Sequence, residues 1–129
     1  MHGASLSRRL ESLPTARLGG LRPRVAVGPR ARLLGLAFLD AGEVGDGLVI
    51  PRCASVHTFG MRFPLDLVFL GRRGGEEDRP TVVGVRSGVP PRRLVWCRGA
   101  VAVLELPARP SQGAGSSAVG GGRVELFPG

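Results

Sequence analysis

CASVHTFGMRFPLDLVFL, residues 53–70, places a histidine, an arginine and an aspartate within an apolar run that is typical of a buried β-strand. Residues 62–70 carry apolar side chains on both alternating faces, so we expect this strand to be covered on both sides. An unpaired buried polar group costs about 1–3 kcal/mol, and an unpaired buried charge costs more. The polar side chains of this stretch therefore need partners or solvent, which makes it the first place to look for function.

Short strand-like segments surround this stretch. The chain has 129 residues with 21 Gly and 11 Pro, a composition that favours short elements joined by many turns. We predict one main helix over residues 29–39, and strands near residues 24–27, 48–50, 62–70, 81–85, 94–97, 101–106 and 124–127. These elements indicate a β-dominated α+β domain whose small antiparallel or mixed sheet is partly closed and barrel-like.

The chain is interpreted as one domain with a basic lead. Residues 1–20 form a partly flexible N-terminal lead, and residues 21–129 form the domain. Within the domain, residues 71–79 are a polar hairpin tip and residues 109–122 are a flexible Gly/Ser segment. No run approaches the ~20 apolar residues that cross a bilayer, so no membrane contact and a cytoplasmic location are expected. Two cysteines do not make a disulfide framework.

The net charge of +8 is unevenly distributed. Residues 1–32 hold seven Arg against one acid, whereas residues 33–129 hold eleven Arg against nine acids. A basic N-terminal arm could bind nucleic acid through phosphates. The absence of interleaved aromatic residues and of a known nucleic-acid motif weighs against that function, and it is kept as a second alternative.

Polar residues in or beside the apolar runs are the candidates for a binding site. They are His57, Thr58, Arg62, Asp66 and Glu105. Along an extended strand, Arg62 and Asp66 are separated by roughly 13 Å, which is too far for a direct pair. We therefore predict Glu105 as the partner of Arg62. The predicted partners of Asp66 are basic residues on neighbouring segments, His57, Arg86 and Arg98.

The same residues also allow catalytic and metal-binding interpretations. His57 with Asp66 or Glu105 could provide a hydrolase-like base, and Cys53 with His57 could provide a thiol nucleophile. Cys53, His57 and Met61 are spaced by four, but no close-spaced second pair of metal ligands accompanies them. We predict no metal and no cofactor.

Three separated signatures resemble a known family. RLLGL at residues 32–36, HTFGMRFPLDLVF at residues 57–69 and VLEL at residues 103–106 resemble, in this order along the chain, the prokaryotic domain of unknown function (DUF) family 192. The resemblance covers roughly residues 25–127. It implies a compact, β-dominated single domain with one helix, and it implies no established biochemical role.

The sequence therefore favours a small non-enzymatic binding or accessory module over an enzyme. Its unknown ligand or protein partner would contact a polar patch at the HTFGMRFPLD motif, and the oligomeric state is not encoded in any motif. A hydrolase-like enzyme is the first alternative. An enzyme requires the polar groups to converge on an open pocket, whereas a structural network leaves them paired and buried.

Overall fold

A computed structural model describes residues 5–72 and 80–109 of the chain. Its helical elements are α1 (Arg8–Glu11), α2 (Pro29–Leu34) and a 3-10 turn (Ala41–Glu43). Its strands are β1 (Arg24–Val25), β2 (Leu48–Pro51), β3 (Ser55–His57), β4 (Leu65–Arg72), β5 (Pro80–Val89), β6 (Leu94–Trp96) and β7 (Ala102–Pro107). The predicted polar tip beyond Arg72, the Gly/Ser segment beyond Arg109 and the strand predicted over 124–127 lie outside the described residues.

The strands form two separate ladders. Five of them make a mixed sheet in the order β1-β2-β7-β4-β5, in which only the β1–β2 pair is parallel. The remaining two, β3 and β6, pair with each other in antiparallel fashion. The predicted α+β, strand-dominated class is confirmed, and across the described ranges the five-stranded sheet stays open and is not closed into a barrel.

Strand β4 is buried on both faces, as the apolar pattern predicts. Leu65, Leu67 and Phe69 enter the main core, which also receives side chains from α1, from the turn after α2 and from β3. Val68 and Leu70 enter a smaller core on the opposite face. Because successive side chains of a strand point to opposite faces, alternate residues of β4 enter different cores.

The helical prediction over residues 29–39 is too long. Helix α2 ends at Leu34 because Gly35 adopts φ 54 and ψ −129, which is outside the helical region. Strand β3 was not predicted, since its three residues include only one buried apolar side chain, Val56. Strand β4 begins at Leu65 rather than near residue 62, directly after Pro64, which has no N–H to give to a ladder.

The described part of the N-terminal lead packs onto the domain. Leu10 of α1 is 1% exposed and belongs to the main core. Ser7 caps α1 by accepting a hydrogen bond from the Arg9 backbone N–H. The Arg24 guanidinium donates to the backbone carbonyls of Glu11 and Leu13. Part of the basic charge near the N-terminus is therefore used inside the fold.

Replacing Phe69 with Ala tests the central position of β4. Phe69 is completely buried, so Phe69→Ala should lower the free energy of unfolding by about 3–5 kcal/mol through lost burial and a cavity. Phe59→Ala is the matched control, because Phe59 is 54% exposed and should change it by only about 0.5 kcal/mol. Chemical denaturation of the three proteins measures both values, and equal effects would contradict this placement of β4.

Candidate functional site

Glu105 is a carboxylic acid inside the main core. In β7, Val103 points into this core while Leu104 points into the smaller core on the other face. Glu105 shares the side of Val103 by strand alternation and is only 2% exposed. Its backbone pairs with Leu48 of β2 and Leu67 of β4, so the carboxyl projects from the middle of the five-stranded sheet.

The turn that follows α2 lies directly on this carboxyl. A Cβ placed on Gly35 would approach Oε1 of Glu105 to 2.8 Å, and the φ of +54 at Gly35 is itself unfavourable for any other residue. Only glycine fits this position without strain. Oε1 of Glu105 is buried and has no hydrogen-bond partner among the residues that the structure describes.

Burial raises the pKa of Glu105 to about 7, and the nearby Leu36 backbone N–H partly offsets this effect. Removing a carboxylate from water disfavours its charged form, and a single N–H donor compensates only in part. Near neutral pH, Glu105 therefore exchanges between a neutral acid that can donate a hydrogen bond and a carboxylate that can only accept.

A pocket of about 230 Å³ borders Glu105. Helix α2 with Gly35 forms one wall, and β2, β3 and the start of β6 form the others. Its polar lining is limited to Arg32, Cys53, Ser55, His57 and Glu105, and its remaining side chains are aliphatic. A larger surface depression of about 680 Å³, near Val101, is lined by no imidazole or carboxylate. Of these two concavities, the pocket over Glu105 is therefore the one that brings an imidazole and a carboxyl together.

His57 lines this pocket with both ring nitrogens engaged. Nε2 lies 2.9 Å from the Leu33 carbonyl oxygen, and Nδ1 accepts a hydrogen bond from the Phe59 backbone N–H at 3.2 Å. Because the carbonyl can only accept, Nε2 must carry the proton and Nδ1 must be the acceptor. The imidazole therefore joins β3 to the end of α2, and its lone pair already has a partner.

Thr58 lies next to His57 but serves the fold. It is completely buried, its hydroxyl donates to the Pro90 carbonyl at 2.7 Å, and it accepts the Arg93 backbone N–H at 2.8 Å. The Thr58 backbone N–H also donates to the Arg93 carbonyl. This side chain fixes the connection between β5 and β6, and its complete burial keeps the hydroxyl away from any ligand.

The predicted partners of Arg62 and Asp66 are wrong. Arg62 pairs with Asp40 at 3.1 Å in an exposed salt bridge rather than with Glu105. Asp66 accepts backbone N–H bonds from Gly88 at 2.8 Å and from Arg109 at 3.3 Å rather than binding a basic side chain. Asp66 also alternates with the core-facing residues of β4, which directs it away from Glu105.

The structure therefore brings only two of the five candidates together. His57 and Glu105 line one pocket, whereas Thr58, Arg62 and Asp66 each serve a different loop or surface. Gly35 and Arg32 were not proposed as site residues, although both lie in the RLLGL signature. The Arg32 guanidinium donates to the backbone carbonyls of Pro51 and Arg52, which ties α2 to the end of β2.

The described residues contain neither a cluster of metal ligands nor a membrane-spanning helix. Within residues 5–72 and 80–109, no group of three His, Cys, Asp or Glu side chains is placed to hold a metal ion. Across the described part of the chain, no helix has the length and apolar content needed to cross a membrane. The two cysteines are free thiols.

Two solved structures share this fold. One is a protein of Sinorhizobium meliloti 1021 described as a "putative transcription regulator", with a TM-score of 0.53 and 22% identity over 68% of this chain and 69% of that chain. The other is a protein of unknown function from Novosphingobium aromaticivorans DSM 12444, with a TM-score of 0.52 and 20% identity over 79% of this chain and 86% of that chain. No family model and no curated protein matches the chain. At these identities the similarity establishes the fold alone.

The buried acid should make stability depend on pH. Folding raises the pKa of Glu105 from its usual 4.5 to about 7, so the folded state binds the proton more tightly than the unfolded chain. This contribution to stability is fully present below pH 4.5 and is lost as the pH rises through 7, with a total of about 3 kcal/mol. Denaturant unfolding at several pH values should show this decline in the wild type and a smaller decline in Glu105→Gln. If the wild type and Glu105→Gln show the same dependence of stability on pH, the raised pKa of Glu105 is wrong.

The contact between Gly35 and Glu105 gives a second test. Gly35→Ala combines an unfavourable φ with the 2.8 Å approach to Oε1, whereas Gly88→Ala meets only a φ of +62 with no atom within 4 Å of the added Cβ. We expect Gly88→Ala to cost about 1–2 kcal/mol and Gly35→Ala to cost at least about 1 kcal/mol more. Thermal or chemical unfolding compares the pair. An equal loss would show that Glu105 moves aside freely.

Proposed function

We propose that this chain is a non-enzymatic binding module that holds a small ligand in the pocket over Glu105. The supporting observation is the Glu105 carboxyl, which is buried at the edge of a pocket and has an oxygen that no described residue satisfies. Buried polar atoms in folded proteins nearly always have a partner, so an unpartnered carboxyl oxygen beside a pocket calls for an explanation. A bound ligand would supply it.

The hydrolase-like alternative has less support from this geometry. A general base needs a free lone pair within reach of the proton that it removes. The Nδ1 lone pair of His57 accepts the Phe59 N–H, and Asp66 lies outside the pocket. His57 lines the pocket with Glu105, but both of its ring nitrogens are engaged, so the pair fits recognition better than acid and base catalysis.

The basic N-terminal arm also gives little support to nucleic-acid binding. Arg9, Arg24 and Arg32 donate to backbone carbonyls of the domain, which occupies part of their hydrogen-bonding capacity. Phosphate binding by arginine relies on those same guanidinium donors. The two free cysteines agree with the proposed cytoplasmic location, where thiols stay reduced. Membership of DUF family 192 is proposed from the sequence signatures alone.

Blocking the pocket tests this function. Ser55 is exposed and lines the pocket, so Ser55→Trp should fill it at little cost to folding. Ser87→Trp is the matched control, because Ser87 is exposed on β5 and does not line the pocket. We expect at least one of n-butylammonium, 1-butanol and butyrate to shift the backbone NMR signals of Gly35, His57 and Glu105 saturably in the wild type and in Ser87→Trp.

The same shifts should disappear in Ser55→Trp. If none of the three compounds shifts these signals in the wild type, or if Ser55→Trp responds like Ser87→Trp, the pocket is not a binding site and the proposed function is wrong.

A further inference from the structure

The hydrogen bonds around the pocket leave an acceptor without a donor. Arg32 donates to two backbone carbonyls, and the His57 Nε2–H faces the Leu33 carbonyl. The Cys53 thiol donates to the Ser55 carbonyl at 2.9 Å. These three groups each donate to a backbone carbonyl, whereas Oε1 of Glu105 has no hydrogen-bond partner among the described residues. No donor of the pocket lining reaches this oxygen, so in its ionised form it can accept a hydrogen bond from a ligand.

From this imbalance we propose, building on the function proposed above, that the ligand is a small primary amine, bound as its ammonium ion, whose N–H donates to Glu105. A hydrogen bond between two ionised groups is roughly twice as strong as one between neutral groups. In an apolar site, a cation beside a carboxylate also restores the ionised form that burial disfavours. A neutral alcohol or amide offers the donor but not this compensation.

The aliphatic lining and the volume of the pocket limit the part of the ligand that carries the ammonium group. The aliphatic side chains that line it belong to Leu33, Leu34, Ile50, Val56 and Leu94. Its volume of about 230 Å³ has room for on the order of seven non-hydrogen atoms at water's ~30 Å³ each. Apolar walls with one oriented polar group are typical of small-molecule sites. A short alkyl chain on the ammonium group fits both the lining and the volume.

The positive charge near the pocket does not favour a cation at long range. Arg32 and His57 line the pocket, and the Arg9 guanidinium donates to the carbonyls of Gly35 and Ala37 at 2.8 and 2.9 Å, beside the turn that covers Glu105. The two guanidinium groups and the net charge of +8 repel cations at long range. Non-specific association with this protein should therefore favour anions. If the pocket prefers an ammonium ion, that preference has to come from direct contact with Glu105.

Three compounds of nearly equal shape separate the possibilities. Full-length protein is titrated with n-butylammonium, 1-butanol and butyrate at pH 8, with the Gly35 and Glu105 backbone NMR signals as readout. We expect n-butylammonium to bind most tightly. Glu105→Gln should weaken it by about 10- to 100-fold, the usual value of a hydrogen bond to a charged group. Glu11→Gln, which removes an exposed acid from α1, should leave it unchanged.

The pH dependence provides a measurement that needs no variant. With the pKa of Glu105 at about 7 in the free protein, n-butylammonium should bind about tenfold more weakly at pH 6 than at pH 8. Butanol should not show this change. This comparison keeps the proposal testable if Glu105→Gln fails to fold.

The outcomes distinguish the ligand class from the binding function. If butanol or butyrate binds the pocket as tightly as n-butylammonium, or if n-butylammonium binding is independent of pH, the ammonium class is wrong while the binding function stands. If no compound binds at the pocket, the proposed function itself fails. Pocket binding of n-butylammonium that is strongest at pH 8 and depends on Glu105 supports both.

Discussion

The close approach of the Gly35 backbone to the Glu105 carboxyl is the constraint on which the pocket depends. Any larger residue at Gly35 would meet Oε1 at 2.8 Å, so the turn after α2 can lie on β7 only with glycine there. Three side chains then hold α2 and this turn in place: Arg9 donates to the carbonyls of Gly35 and Ala37, and His57 bonds the Leu33 carbonyl. Arg32 of α2 donates to carbonyls at the end of β2. The pocket is the space left between α2, held in this way, and β3.

A carboxyl in this position costs stability at neutral pH. Its burial raises the pKa of Glu105 to about 7, and the single N–H of Leu36 offsets only part of that effect. An apolar side chain of similar size would fill the same core position without desolvating a charge, and such replacements are often neutral or stabilising. Fold support alone thus gives little reason for a glutamate here. A ligand that completes its hydrogen bonding gives one.

The sequence predicts some features of this fold well because they depend on local pattern. The double-sided apolar run of β4 and the lone acid in the apolar run of β7 are visible without any tertiary information. The predictions for Arg62 and Asp66 are wrong because their partners depend on tertiary detail: loop paths bring Asp40 to Arg62 and Arg109 to Asp66. A register irregularity between β4 and β5 at Asp66 accompanies its bond from the Gly88 N–H. The role of Gly35 was missed because its requirement for glycine arises from a contact 70 positions away in sequence, with Glu105.

Two exposed leucine side chains line the pocket beside the buried carboxyl. Leu33 and Leu94 line the pocket and are 67% and 61% exposed, although each is a large aliphatic residue. Burying such side chains gains about 25 cal/mol for each Å² that is removed from water, and isolated exposed leucines need no explanation. These two, however, flank one opening that leads to an unsatisfied carboxyl. An alkyl chain lying between them while its ammonium group contacts Glu105 would satisfy both features, and neither a purely polar nor a purely apolar ligand does so.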